Sequence, residues 1–293
     1  MTVANAILQG IFLGAFYAVL ACGLSLMFGV MRIINLAHGD IAVLGAYVVL
    51  VIVQGTGLSP LVAFVIALPA MVALGYVLQL TVLQRALKAG ILTPLLATFG
   101  LSIVIQNLLL LKFSPDVHSL GASAGALTTE SWNVFGSITI PALGLVVLAV
   151  AVVVFAALQL FLSRTRPGWR MRATAEDPDA AELIGIDSRH VYARATAIAV
   201  AIAGLGGLFL AIRSVFDPVS GPTQLISAFE AVVIGGMGSL WGTLLGGLAL
   251  GVAQTLGAQL NPEYAALSGH LLFLAVLILR FGGVRFVRFG VRA

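Results

Sequence analysis

Three polar side chains recur at every fourth position within a charge-free stretch of the sequence. Thr98, Ser102 and Gln106 occupy positions i, i+4 and i+8 of the stretch 89–111, so in a helix they form one polar stripe. Two interpretations are open. The stripe can join neighbouring helices through hydrogen bonds worth roughly 0.6–2 kcal/mol each, or it can line a wet path for a polar solute.

A second polar group stands directly before an apolar stretch. Asn35, His38 and Asp40 precede the apolar residues 41–54. Asp40 suits the N-cap of a helix that begins there, because its carboxylate can accept a hydrogen bond from the first free backbone N–H groups. The alternative is that this polar break lies beside the path of a transported solute.

Glu230 is an acidic residue inside an otherwise apolar run. A carboxylate within a membrane segment is a candidate functional group, because burying its charge in hydrocarbon is costly. Pairing with a basic residue such as Arg213 or Arg32 is an equally good explanation. We therefore keep Glu230 as a candidate pathway residue and leave its partner open.

Sequence motifs for enzyme chemistry are missing. No G-x-x-x-x-G-K-[ST] run is present, so the chain lacks the loop that cradles ATP phosphates. There is no H-E-x-x-H pair, and the four histidines, at 38, 118, 190 and 270, stand in different segments. The sequence indicates no catalytic residue, no metal site and no cofactor in this chain, and hence a protein that is not an enzyme.

The composition excludes a soluble globular protein. Of the 293 residues, 60% are hydrophobic and 9% are charged, whereas soluble domains carry about 25% charged residues. So few charges cannot cover a water-exposed surface, which rules out a cytosolic enzyme and a nucleic-acid-binding protein. The expected environment is a lipid bilayer. The lone cysteine, Cys22, permits no intrachain disulfide.

The charge-free stretches predict the membrane spans, because a helix needs about 20 apolar residues to cross the hydrocarbon core. The segment 223–237 is shorter, and either spans or enters and returns. The sequence thus predicts an all-α, polytopic integral membrane protein of about eight to nine transmembrane helices, forming a single transmembrane domain over residues 1–293. The eight full spans are predicted near 6–28, 41–54, 61–84, 91–111, 142–163, 193–213, 240–260 and 264–281.

Basic residues predict the orientation. Arg85 and Lys88 flank one loop, and the arginine-rich segment 164–194 carries 6 of the 15 basic residues. The C-terminal tail, 280–292, holds four more arginines. Because Lys and Arg concentrate in cytoplasmic loops, we expect all three to be cytoplasmic and the loop 112–140 to be outside.

A short helix is predicted inside the arginine-rich segment. Asp177 or Asp179 can cap it, Gly185 is suited to end it, and its body runs over 180–184. The simplest interpretation is a solvated loop that anchors the topology. The functional alternative is a small projection that inserts into a cytoplasmic partner.

The short helix carries a family resemblance. Residues 179–185, Asp-Ala-Ala-Glu-Leu-Ile-Gly, resemble the E-A-A-x-x-x-G coupling signature of bacterial ABC importer permeases. Asp replaces the leading Glu, and the more distal Ile-x-Leu-Pro part is absent, which points away from sugar and metal permeases. The whole chain resembles the branched-chain amino acid permease family of the Liv type, in particular its LivH-like subunit. Further supporting runs are 34–40 with 44–47, 97–102, 170–173 through 185–187, and 229–239.

The resemblance implies a function and a set of partners. It implies an importer subunit that moves branched-chain or other hydrophobic amino acids inward across the bacterial cytoplasmic (inner) membrane. The partners would be a second, LivM-like permease subunit, two cytoplasmic ATPase subunits that bind the ATP, and a periplasmic substrate-binding protein. The implied ATPase-coupling residues are Asp179, Ala180, Ala181, Glu182, Leu183 and Gly185. The candidate pathway residues are Asn35, His38, Asp40, Thr98, Ser102, Gln106 and Glu230.

Two other functions fit parts of the sequence. A permease for urea or short amides looks similar over the same runs. A secondary transporter driven by an ion gradient fits the composition, but it gives no reason for the short capped helix at 179–185. Neighbouring genes for two ATPases, a second permease and a binding protein would favour the importer.

Overall fold

A computed structural model describes residues 3–90, 92–134 and 138–281 of the chain. Helices dominate it, as expected in hydrocarbon, where each backbone N–H and C=O group must find its partner within the protein. The helices are α1 (Val3–Met31), α2 (His38–Thr56), α3 (Pro60–Leu78), α4 (Gln84–Lys88), α5 (Thr93–Phe113), α6 (Ala126–Thr129), α7 (Ala142–Arg164), α8 (Arg166–Glu176), α9 (Pro178–Leu183), α10 (Ser188–Arg213), α11 (Gly221–Gly235), α12 (Leu240–Leu260) and α13 (Tyr264–Phe281).

Seven helices in the described part of the chain are long and apolar enough to cross a membrane: α1, α2, α5, α7, α10, α12 and the run Pro60–Lys88. That run joins α3 to α4 through the π-helical stretch Gln79–Leu83. The eighth predicted span, 264–281, is α13, whose apolar part is shorter. The segment predicted at 223–237 is α11, a helix of 15 residues. A multi-pass membrane protein is confirmed, and the count of eight to nine spans stays a prediction.

A small sheet departs from the predicted all-α fold. Strands β1 (Ser131–Val134) and β2 (Ile138–Pro141) pair antiparallel, with Trp132 opposite Ile140. Both strands are short and rich in aromatic and β-branched residues, which favour extended backbone. Gln9 of α1 fixes the sheet to the bundle by donating from Nε2 to the Thr139 carbonyl oxygen at 2.7 Å.

The centre of the bundle is formed by α1 and α10. Of their most apolar 18-residue windows, 78% and 83% of residues are buried within the protein, against 22% for α7 and 28% for α5. Glycines let α12 approach both α1 and α11 closely. A Cβ at Gly247 would lie 2.8 Å from the Gly14 carbonyl oxygen, and one at Gly246 would lie 2.6 Å from the Gly235 nitrogen. Small residues at helix contacts permit this close packing of membrane helices.

Two of the predicted cytoplasmic segments lie at the same end of the molecule. Gln79 accepts a 2.7 Å hydrogen bond from the Thr196 hydroxyl, which places the end of the Pro60–Lys88 run beside the start of α10. Arg85 and Lys88 therefore share an end with the arginine-rich segment. Of the tail arginines, Arg280 lies in the last turn of α13 and donates to the Val233 carbonyl oxygen at 3.1 Å. The others, Arg285, Arg288 and Arg292, lie outside the described residues.

Candidate translocation pathway and coupling helix

The chain between α1 and α2 folds back into the bundle. Asn35 is 1% exposed, and its Oδ1 accepts from the Ala37 N–H at 3.0 Å. The next backbone N–H, of Leu36, donates to Thr98 Oγ1 of α5 at 3.1 Å. The break predicted at this place is thus real, and it is held by polar contacts to the predicted stripe.

His38 shows how deep this fold-back reaches. Its Nε2 donates to the Leu20 carbonyl oxygen of α1 at 2.8 Å, and the side chain is 1% exposed. Leu20 lies eleven residues before Met31, the last residue of α1, which is a distance of about 16 Å along a helix. Helix α2 therefore begins well inside the bundle. Nδ1 of His38 is buried without a hydrogen-bond partner in the described structure.

Asp40 is not the N-cap of α2, contrary to the first of its two sequence interpretations. It lies in the first turn, and the cap position is Ala37, because the helix begins earlier than its apolar run. Oδ1 of Asp40 accepts from Gln106 Nε2 at 2.9 Å, and the same amide nitrogen donates to Ser102 Oγ at 3.2 Å. The stripe on α5 thus meets the break before α2.

Helix α11 begins at the same point as α2. A Cβ added to Gly221 would lie 2.5 Å from Asp40 Cγ, and one added to Gly39 would lie 2.8 Å from the Leu225 nitrogen. Only glycine at both positions permits this approach. The N-terminal ends of two helices, each with a partial positive charge, therefore converge on one carboxylate, whose buried Oδ2 has no hydrogen-bond partner among the described residues.

Six of the seven predicted pathway residues are thus assembled in one place. We call this place the junction, and define it by Asn35, His38, Asp40, Thr98, Ser102 and Gln106, with Gly39 and Gly221 at its centre. Sequence reasoning missed both glycines, because α11 was expected only from residue 223 and nothing in its sequence indicates contact with α2. The role of the junction in transport stays a prediction.

Glu230 is the seventh, and it lies elsewhere. It is nine residues beyond Gly221 on α11, about 14 Å along the helix, and 4% exposed. Its Oε1 accepts from Nδ1 of His270 on α13 at 2.5 Å. The suggested partners Arg213 and Arg32 are therefore wrong. The correct partner is a histidine 40 positions away, which only the packing of α11 on α13 brings near.

The short helix predicted in the arginine-rich segment is α9. Its cap is Asp177, whose Oδ1 accepts from the N–H groups of Asp179 and Ala180 at 3.0 and 2.9 Å. Asp179 is inside the first turn, so of the two suggested caps it is the wrong one. Gly185 follows the helix with φ of +83°, a conformation that glycine adopts without strain.

Helix α9 is exposed at every residue except Ala181. Ala181 is 3% exposed and packs against the rest of the protein, whereas Leu183 and Ile184 are 88% and 75% exposed. Two large apolar side chains are therefore held at the surface between the Asp177 cap and Gly185. They belong to the segment that the sequence resemblance implies for coupling. Leu183 belonged to the predicted coupling set and Ile184 did not, although it stands in the same run.

Comparison with known proteins assigns this chain to a family. Residues 6–279 match the family described as "Branched-chain amino acid transport system / permease component". The chain is 30% identical to the permease protein BraD of Pseudomonas aeruginosa, with 95% of this chain and 94% of that protein covered. It is 32% identical to LivH of Escherichia coli K12, with 94% and 93% covered.

The chain belongs to this family of branched-chain amino acid transport permeases. BraD and LivH are both named permease proteins of a high-affinity branched-chain amino acid transport system. LivM of the same E. coli strain is 26% identical, with 89% of this chain and 66% of that protein covered. No solved structure matches.

Proposed function

We propose that this protein is a transmembrane permease subunit of a bacterial ABC importer that moves branched-chain or other hydrophobic amino acids inward. The names of its relatives BraD and LivH support this substrate class. The chain has no nucleotide-binding loop, so separate ATPase subunits would bind the ATP and supply the energy. The protein forms one domain of eight to nine spans in the cytoplasmic (inner) membrane.

The observation that carries the proposal is the surface of α9. A permease without a nucleotide site must receive work mechanically, through a rigid element that fits a groove on its ATPases. Helix α9 is fixed at one end by the Asp177 cap and ended by Gly185, and it exposes Leu183 and Ile184. In this proposal two cytoplasmic ATPases bind the α9 helices of this subunit and of a LivM-like second permease.

In this proposal the coupling residues and the candidate pathway residues have different roles. The segment Asp179–Gly185 transmits ATPase movement, and the junction with Glu230 lies along the solute path. A zwitterionic amino acid needs polar groups during its passage through hydrocarbon, and amide, hydroxyl and carboxylate groups of this kind are present at the junction. A periplasmic binding protein would deliver the substrate to the outer end.

The proposal is tested by uptake in reconstituted vesicles. The permease is combined with the second permease and the ATPases encoded beside it, and radiolabelled leucine is added with the neighbouring binding protein. We expect uptake that requires ATP and the binding protein. Uptake of urea but not of leucine would support the amide-permease alternative. Uptake driven by an ion gradient without ATP would contradict the importer.

A further inference from the structure

A small cavity lies between α1 and α7, at the end of the bundle opposite the arginine-rich segment. Its volume is about 180 Å³, below the roughly 300–1,000 Å³ of pockets that hold drug-sized ligands. Phe12 and Phe16 of α1 and Leu143 and Val147 of α7 form its apolar walls. Phe12, Phe16 and Val147 are buried. The cavity therefore suits a small molecule with a short apolar part.

One cation, Arg213, closes the polar side of this cavity. It is the last residue of α10, and its guanidinium carbon lies 5.6 Å from the centre of the Phe16 ring. Within the described residues no carboxylate oxygen lies within 4.0 Å of it. A guanidinium offers five N–H donors in a fork that matches a carboxylate. The cavity thus combines apolar walls with a receptor for one anionic group.

A polar acceptor completes the lining. The Gln9 side chain lies at the cavity wall and donates from Nε2 to the Thr139 carbonyl oxygen at 2.7 Å. This contact orients the amide and leaves its oxygen as an acceptor for an ammonium group. A carboxylate, an ammonium group and a short aliphatic tail are the three parts of a branched-chain amino acid.

We propose that this cavity is a binding position for the transported amino acid, with its carboxylate on Arg213 and its aliphatic side chain between the Phe12 and Val147 walls. The inference rests on the proposed function and adds a site to it, separate from the junction. Since α1 and α7 begin here and the arginine-rich segment is at the other end, the site lies on the predicted outer side, where a binding protein would release its ligand.

The test measures ligand binding to the assembled transporter in lipid nanodiscs. Radiolabelled leucine is the probe, and three competitors separate its groups: 4-methylpentanoate lacks the ammonium group, isopentylamine lacks the carboxylate, and palmitate represents a lipid carboxylate. We expect 4-methylpentanoate to compete and isopentylamine to fail. Arg213→Gln should weaken leucine binding by at least about tenfold, and Arg213→Lys by less, because lysine keeps the charge but loses the fork.

Two further variants protect this test from folding artefacts. Arg194→Gln removes the same charge from the other end of α10 and should leave binding unchanged. Leu143→Trp fills the cavity without touching the cation and should also abolish binding. Unchanged leucine affinity in Arg213→Gln and Leu143→Trp would overturn the site, and so would competition by palmitate alone. If the wild-type transporter imports leucine and Arg213→Gln imports it equally well, the site is wrong while the proposed function stands.

Discussion

The junction and helix α9 differ in which side chains they bury and which they expose. At the junction the Asp40 carboxylate, the His38 imidazole and the Asn35 amide are almost completely buried in an apolar bundle, and contacts within the chain hold most of their polar atoms. On α9 the large apolar side chains of Leu183 and Ile184 project outward. The junction encloses polar groups, which are unfavourable in contact with hydrocarbon. Helix α9 exposes apolar side chains, which are unfavourable in contact with water.

This difference predicts which substitutions alter the stability of the protein and which alter its association with other proteins. Groups at the junction are bound by residues of the same chain, so changes there should first alter the protein's own stability. The outward residues of α9 have little contact with the rest of the chain, so changes there should leave stability alone and alter association with another protein. Four predictions probe this division, from the largest expected effect to the smallest.

The largest effect is expected from closing the contact between α2 and α11. Gly221→Leu forces a side chain against Asp40, where even a Cβ would lie 2.5 Å from Cγ. Overpacking of this kind costs about 1–3 kcal/mol or more, and should lower the thermal unfolding temperature in detergent. Gly55→Leu on α2 is the control, since a Cβ there meets nothing within 4 Å. Equal stability of the two variants would show that the junction is loosely packed.

On α9 the expected loss concerns binding. Leu183→Asp and Ile184→Asp remove apolar side chains worth roughly 1.5–3 kcal/mol each when buried by a partner. Co-purification of the ATPases should fall by about tenfold or more, at unchanged thermal stability. Ala89→Asp adds the same charge at an exposed position of the same end of the molecule, outside the coupling residues, and serves as the control. Full ATPase association in both variants would contradict the coupling role.

The buried position of Ala181 changes what a bulky substitution there can show. Because this residue is 3% exposed within its own chain, Ala181→Trp would clash internally and unseat α9. A loss of coupling in that variant would not separate a damaged helix from a lost contact. Leu183 and Ile184 are the sharper positions, since their substitution leaves the Asp177 cap and the Gly185 stop intact.

The third prediction compares the two buried carboxylates. Asp40→Leu removes the shorter of the two hydrogen bonds that Gln106 Nε2 donates and leaves only the one to Ser102, a loss of about 0.5–1.5 kcal/mol. Asp40→Asn keeps an acceptor oxygen and should cost less. Glu230→Gln retains an acceptor for His270 and should cost less than Glu230→Leu by the same reasoning. Unfolding temperatures of the four variants, measured in one detergent, check this order.

The positions of the helices could be predicted from the sequence, whereas most contacts between them could not. The spans follow from local apolar runs, and the spacing of Thr98, Ser102 and Gln106 fixes them to one face of α5 through helix periodicity alone. The partners of that face depend on the packing of distant segments. Nothing near Glu230 indicates His270, and nothing near Gly221 indicates Asp40. The paired strands β1 and β2 were missed because the composition of the chain as a whole indicates helix.

The smallest effect on stability is expected at Ser102, and it separates the two interpretations of the stripe. Ser102 accepts one 3.2 Å hydrogen bond from Gln106, and membrane hydrogen bonds of this type average about 0.6 kcal/mol. Gln106 keeps its shorter bond to Asp40, so Ser102→Leu should leave assembly with the partner subunits intact. If the stripe lines the solute path, leucine uptake should nevertheless fall in reconstituted vesicles. Ser102→Ala is the control for the lost bond without added bulk. Parallel loss of assembly and uptake in Ser102→Leu would instead assign the stripe to helix packing.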